Sequence, residues 1–141
     1  MIINRKILFL VAVVTATTLS VPLSNASTFA KATVTAADTA ALSACASINT
    51  ANSFAHAFEA LPQATRVARR ASSLATLRGY VVAAQTALTT AIHANSSYRT
   101  WQPKLTLMMS FATTGNGTTA IENAVSALLT NCTALHRRTG R

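Results

Sequence analysis

His56 and Glu59 stand three residues apart, one helical turn, so their side chains are neighbours if the segment is helical. Arg66, Arg69 and Arg70 follow shortly after. An imidazole, a carboxylate and an inward-leaning guanidinium make an acid/base or anion-binding site when brought together. His56, Glu59 and Arg70 are therefore the candidate catalytic residues. Arg70 also has a plainer reading, as a long side chain that snorkels at a helix end and pairs with Glu59. A second set comprises His93, Tyr98, Arg99, Trp101, Lys104, His136, Arg137 and Arg138. Basic side chains interleaved with aromatics bind polyanions or a membrane surface. Tyr98 and Trp101 serve equally well as core or cap residues. Across both sets the candidate binding residues are Arg66, Arg69, Arg70, Arg99, Trp101, Lys104, Arg137 and Arg138.

Other chemistries lack their residues. The sequence has no Cys-x-x-Cys and no paired-histidine metal spacing, so no metal or other cofactor is expected. Gly115-Asn116-Gly117 lacks the lysine and the preceding strand of a phosphate-cradling loop. There is no Gly-x-Ser-x-Gly elbow. With three acidic residues in all, a paired-carboxylate hydrolase is hard to build.

The elements that must position these groups read as helices. From Thr35 to Leu61, apolar residues step by three and four through Leu42, Cys45, Ile48, Ala51 and Phe58. Thr35 and Asp38 have the spacing of a capping box. Pro62 closes this first helix and suits the first turn of a second. The second runs to His93 or Ala94. In it Val67, Leu74, Val81 and Leu88 recur every seven residues, with Leu77, Ala84 and Ala91 three after the last three. That is a seam, which buries one stripe of the helix against others. Arg70 occupies its first +3 position. Gly79 lies mid-helix, as a close crossing or by mere tolerance.

Asn95-Ser96-Ser97 is a break. Tyr98, Trp101, Leu105, Met108 and Ala112 then form a stripe with Pro103 inside it. Either a helix starts at Ser97 and bends, or it starts at Gln102 with Pro103 in its first turn; the second suits the regular part. Gly115 to Gly117 is a turn. Thr119 and Glu122 have capping-box spacing, and a fourth helix runs to His136. The expected fold is all-α, an up-down-up-down four-helix bundle with a short third helix. The bundle spans residues 35–137, and 138–141 form a basic tail. This topology places His56, Glu59, Arg66, Arg69, Arg70 and Glu122 at one pole. The second set falls at the other.

The first 26 residues read as a signal peptide. Arg5 and Lys6 precede an apolar run from Ile7 to Leu19, Pro22 breaks it, and Ser24-Asn25-Ala26 offers a small-residue cleavage site. Residues 27–34 are a small polar arm. The formal charge of +9 falls to +7 once Arg5 and Lys6 are removed. Such a chain favours an anionic polymer or membrane surface, or is simply kept soluble by its charge. No specific nucleic-acid motif is present, and a monomer is expected. Export permits a disulfide between the two cysteines, Cys45 and Cys132. In an up-down-up-down bundle they fall at similar heights on neighbouring helices.

In outline (leader, small helical domain, two distant cysteines) the chain resembles the secreted haem-binding helical proteins of mycobacteria. It has no His-Pro motif like theirs around His56, His93 or His136. The expected function is a secreted binding or interaction module for an anionic envelope or extracellular partner. The alternative is a small secreted enzyme or a haem or ligand carrier with its site where the first two helices meet.

Overall fold

The computed structural model describes residues 33–141. The expected signal peptide and all but the end of the arm lie outside them. Four α-helices form the fold: α1 (Ala36–Glu59), α2 (Gln63–Ala94), α3 (Gln102–Thr114) and α4 (Thr119–Thr139). Each packs on its two neighbours in an up-down-up-down square, with α1–α2 the most extensive pairing. Among the described residues there is no strand.

Local chemistry sets the helix ends. Thr35 caps α1 in a full box: its hydroxyl accepts from the Asp38 amide at 3.0 Å, and Asp38 Oδ2 accepts from the Thr35 amide at 3.2 Å. Pro62 separates α1 from α2, and the Arg66 amide closes the first turn of α2 on the Pro62 carbonyl. The segment before α3 is a short 3-10 helix, Ser96–Trp101, started by Asn95, whose side chain accepts from the Ser97 amide. Pro103 sits in the first turn of α3, where its missing N–H costs nothing. α4 differs from the sequence reading at both ends. Its cap is Thr118, bonded to the Ile121 amide, so the Thr119–Glu122 pair makes no box. It also continues through Arg138 to Thr139, because Leu135 and Thr139 are buried and hold the last turn down. The first two residues of the expected basic tail, Arg138 and Thr139, are therefore helical.

Threonine is a poor helix former, yet these helices are rich in it. Exposed threonines, among them Thr50, Thr86, Thr113 and Thr133, return their hydroxyls to the carbonyl four residues back. Alanines at 41, 44, 51, 84, 91 and 112 are fully buried and let the helices approach closely. Ile48, Val81, Leu88, Leu105 and Leu128 supply the bulk, each worth about 1.5–3 kcal/mol when fully buried. Cys45 and Cys132 form a disulfide with Cα atoms 5.5 Å apart, joining α1 to α4. The bridge belongs to an oxidising environment. No described helix is long and apolar enough to cross a membrane.

The seam of α2 is buried from Leu77 to Ala91, but Leu74 is only half-buried and Val67 is 71 % exposed. Its first turns extend past the short α3 and, among the described residues, keep only α1 as a partner helix. Gly79 marks no close crossing among the described residues: a Cβ there would meet none of them within 4 Å.

Candidate functional site

The incomplete seam opens a cleft. All the buried residues of α1 lie between Ala37 and Ala51; beyond that point a pocket lies between α1 and α4. Two adjoining lobes result. The first, about 500 Å³, lies between α1 and α4 over Leu77, Met108, Phe111, Ile121, Val125 and Leu129. The second, about 410 Å³, lies between the α1–α2 hairpin and the α3–α4 turn, against Phe54, Phe58, Val67, Leu74 and Phe111. Ala55, Glu59, Leu77, Phe111 and Gly117 border both. Either lobe alone is within the range of small-molecule sites, roughly 300–1,000 Å³.

The polar groups sit around this apolar floor. His56 and Glu122 border the first lobe, Arg66 and Arg70 the second, and Glu59 both. His56 Nδ1 lies 3.9 Å from Glu59 Oε2, with both side chains largely in solvent at 72 % and 61 % exposure. An imidazole and a carboxylate so placed form a solvated rim. Arg70 does not pair with Glu59. Its Nη2 donates to the Thr114 carbonyl at 3.1 Å, capping the C-terminus of α3. Arg66 is half-buried, and its Nε is shut off from solvent with no hydrogen-bond partner. Arg69 is exposed and borders neither lobe.

The other pole is tied rather than open. Asp38, 8 % exposed, receives the Tyr98 hydroxyl at 2.5 Å and Arg138 Nη2 at 2.6 Å on Oδ1. The same guanidinium nitrogen donates to the Tyr98 oxygen at 2.9 Å. The hydrogen bond from Tyr98 holds the Asp38 carboxyl below its usual range against the opposing pull of burial. Burial, then the bond to Asp38, pushes the Tyr98 phenol up to about 12. Trp101 is 7 % exposed and stands edge-on to Tyr98, ring centres 5.3 Å apart. Its ring faces the core and offers no open stacking surface. Lys104 donates to the Thr100 carbonyl at 2.9 Å, and His136 Nδ1 lies 2.9 Å from the Arg141 carbonyl. His93, Arg99 and Arg137 are exposed.

The structure thus gathers His56, Glu59, Arg66, Arg70 and Glu122 around one cleft and leaves Arg69 outside it. It turns Arg138 and Tyr98 inward onto Asp38. Capping spacing accounts for Oδ2 of Asp38, but nothing in the sequence singles out Oδ1 as the anchor for two more donors. Phe111 borders both lobes without any motif to mark it, and Gly117, legible only as part of a turn, borders both as well. Among the described residues no three His, Cys, Asp or Glu side chains are grouped to hold a metal ion. Comparisons with protein-family models, curated proteins and solved structures give no match to this chain.

Proposed function

We propose that this protein is an exported, disulfide-linked helical binding module whose ligand site is the cleft between the α1–α2 hairpin and the α3–α4 turn. One observation carries this reading: two adjoining apolar lobes lie where, among the described residues, the α2 seam runs beyond the cover of α3. Val67 on the second lobe is 71 % exposed, a large aliphatic side chain that water alone covers. An apolar ligand seated there would complete the seam, gaining what a missing helix would have gained. The apolar run and small-residue site before Ser27, together with the disulfide, support export. The rim placement of His56 and Glu59 favours binding over catalysis, since neither is desolvated or held by a third group.

The test uses the neutral fluorescent dye N-phenyl-1-naphthylamine. Saturable binding is expected, and Ala55→Trp, which fills the junction of the two lobes, should abolish it while leaving the helical circular dichroism intact. Absent or unsaturable binding would reject the reading, as would full binding by Ala55→Trp.

A second reading rests on charge. Arg69, Arg99 and Arg137 are exposed on a chain of formal charge +9 and suit an anionic polymer. Salt-sensitive retention on an anionic support, absent on a neutral one, is its expected signature.

A further inference from the structure

We propose that the cleft takes a single-chain amphiphilic anion, a fatty-acid-type carboxylate, with its head held by Arg66 and its tail in the lobe between α1 and α4. This rests on the cleft being the ligand site and goes on to name the ligand's chemistry. The first observation is Arg66 Nε, a donor removed from water with no acceptor. An unpaired donor on a charged group is costly to bury, and a carboxylate in the bordering lobe that draws the Arg66 guanidinium round to pair with it relieves that cost. Among the described residues the ion pairs are His56 with Glu59 and Arg138 with Asp38, and neither includes Arg66. Arg70, one turn on, borders the same lobe and adds positive charge, although its hydrogen bond is spent on Thr114.

The second observation is the polarity of the cleft. Glu59 borders both lobes, but Glu122 borders only the lobe between α1 and α4, where no guanidinium offsets the two carboxylates and an anionic head would be repelled. Its floor of Met108, Ile121, Val125 and Leu129 suits a hydrocarbon chain. The guanidinium side is confined to the other lobe. Head and tail therefore have one favourable orientation, with the chain passing Ala55 and Phe111 where the lobes meet.

The experiment displaces the bound neutral dye from the purified, oxidised protein with three ligands of equal chain length below their micelle concentrations. These are dodecanoate, 1-dodecanol and dodecyltrimethylammonium. Dodecanoate should displace the dye at a concentration about tenfold lower than dodecanol, the size of one charge-assisted hydrogen bond, and the cation should be weakest. Arg66→Gln should erase the preference for the acid while leaving dodecanol unaffected. Arg78→Gln, which removes the same charge from an exposed site elsewhere on α2, should leave the preference intact. Equal displacement by acid and alcohol would overturn the head-group assignment and leave the cleft reading standing. So would a preference that survives Arg66→Gln, or one that Arg78→Gln erases equally. Failure of the dye itself to bind would overturn both. Adsorption to phosphatidylglycerol vesicles without displacement by monomeric dodecanoate would overturn the proposal in favour of a membrane-surface role.

Discussion

Arg138 reaches Asp38 across 100 residues of sequence, its Nη2 2.6 Å from Oδ1, and ties the last turn of α4 to the first turn of α1. Tyr98 completes the tie from the segment between α2 and α3. Three elements of the bundle, α1, α4 and the segment between α2 and α3, are thus joined at one carboxylate. Arg138 is 58 % exposed, so solvent screens part of its attraction, whereas Asp38 and Tyr98 are buried. Tyr98→Phe should therefore cost more than Arg138→Gln, about 1–3 kcal/mol against about 1 kcal/mol or less. The double variant should cost measurably less or more than the sum, because both act on one oxygen. Urea unfolding of the four proteins in the cycle measures this.

The same cluster sets a pH window. Asp38 titrates below its unfolded value, so its contribution is present above about pH 4 and is lost as pH falls through the depressed folded value. Tyr98 is shifted the other way, to about 12, so its contribution is present below about pH 10 and disappears between about 10 and 12. The urea midpoint should show an alkaline decline in the native sequence, and Tyr98→Phe should remove this cluster's share of it. Phenolate absorbance should show one of the two tyrosines ionising only near pH 12.

How much of this was legible depended on range. The caps and breaks at Thr35, Pro62, Pro103 and Gly115 act within a turn or two, so residue type alone announced the helices they bound. Cys45 and Cys132 were legible as a pair because the compartment and the antiparallel geometry both constrained them. Arg70 stood out as a charge in an apolar repeat, but its acceptor is the carbonyl of Thr114, 44 residues away, and a backbone acceptor leaves no trace in side-chain types. Thr118 displaced Thr119 as the cap because both can accept the bond and only the path of the preceding turn decides. The cleft itself lies where the buried stripe of α1 stops after Ala51, a matter of tertiary packing that periodicity does not encode.

The disulfide lies nearer the tied pole, and the pocket between α1 and α4 lies toward the open one. It closes 87 residues, for which the chain-entropy estimate is about 4–5 kcal/mol. Replacing both cysteines by alanine should lower stability by an amount of that order. It should also raise amide exchange first in residues 52–59 of α1, which already lack fully buried contacts. Hydrogen exchange read by mass spectrometry distinguishes this local opening from uniform loosening.

Two glycines should respond to the same substitution with opposite signs. Gly115 ends α3 at φ +68°, a left-handed conformation that other L residues adopt at a cost. An added Cβ would also stand 3.0 Å from Arg70 Nη2 and 3.2 Å from Leu74 Cδ1. Gly115→Ala should destabilise by about 1–3 kcal/mol. Gly79 is helical and exposed, and its added Cβ meets open space. Gly79→Ala should stabilise by about 0.5–1 kcal/mol through helix propensity and a less free unfolded chain. Arg70→Ala should itself cost about 0.5–1.5 kcal/mol, by losing the bond to Thr114. Combined with Gly115→Ala it should cost less than the two effects added, because the guanidinium that crowds the new methyl is gone. Strict additivity would show that the Gly115 penalty is wholly conformational and that Arg70 yields freely.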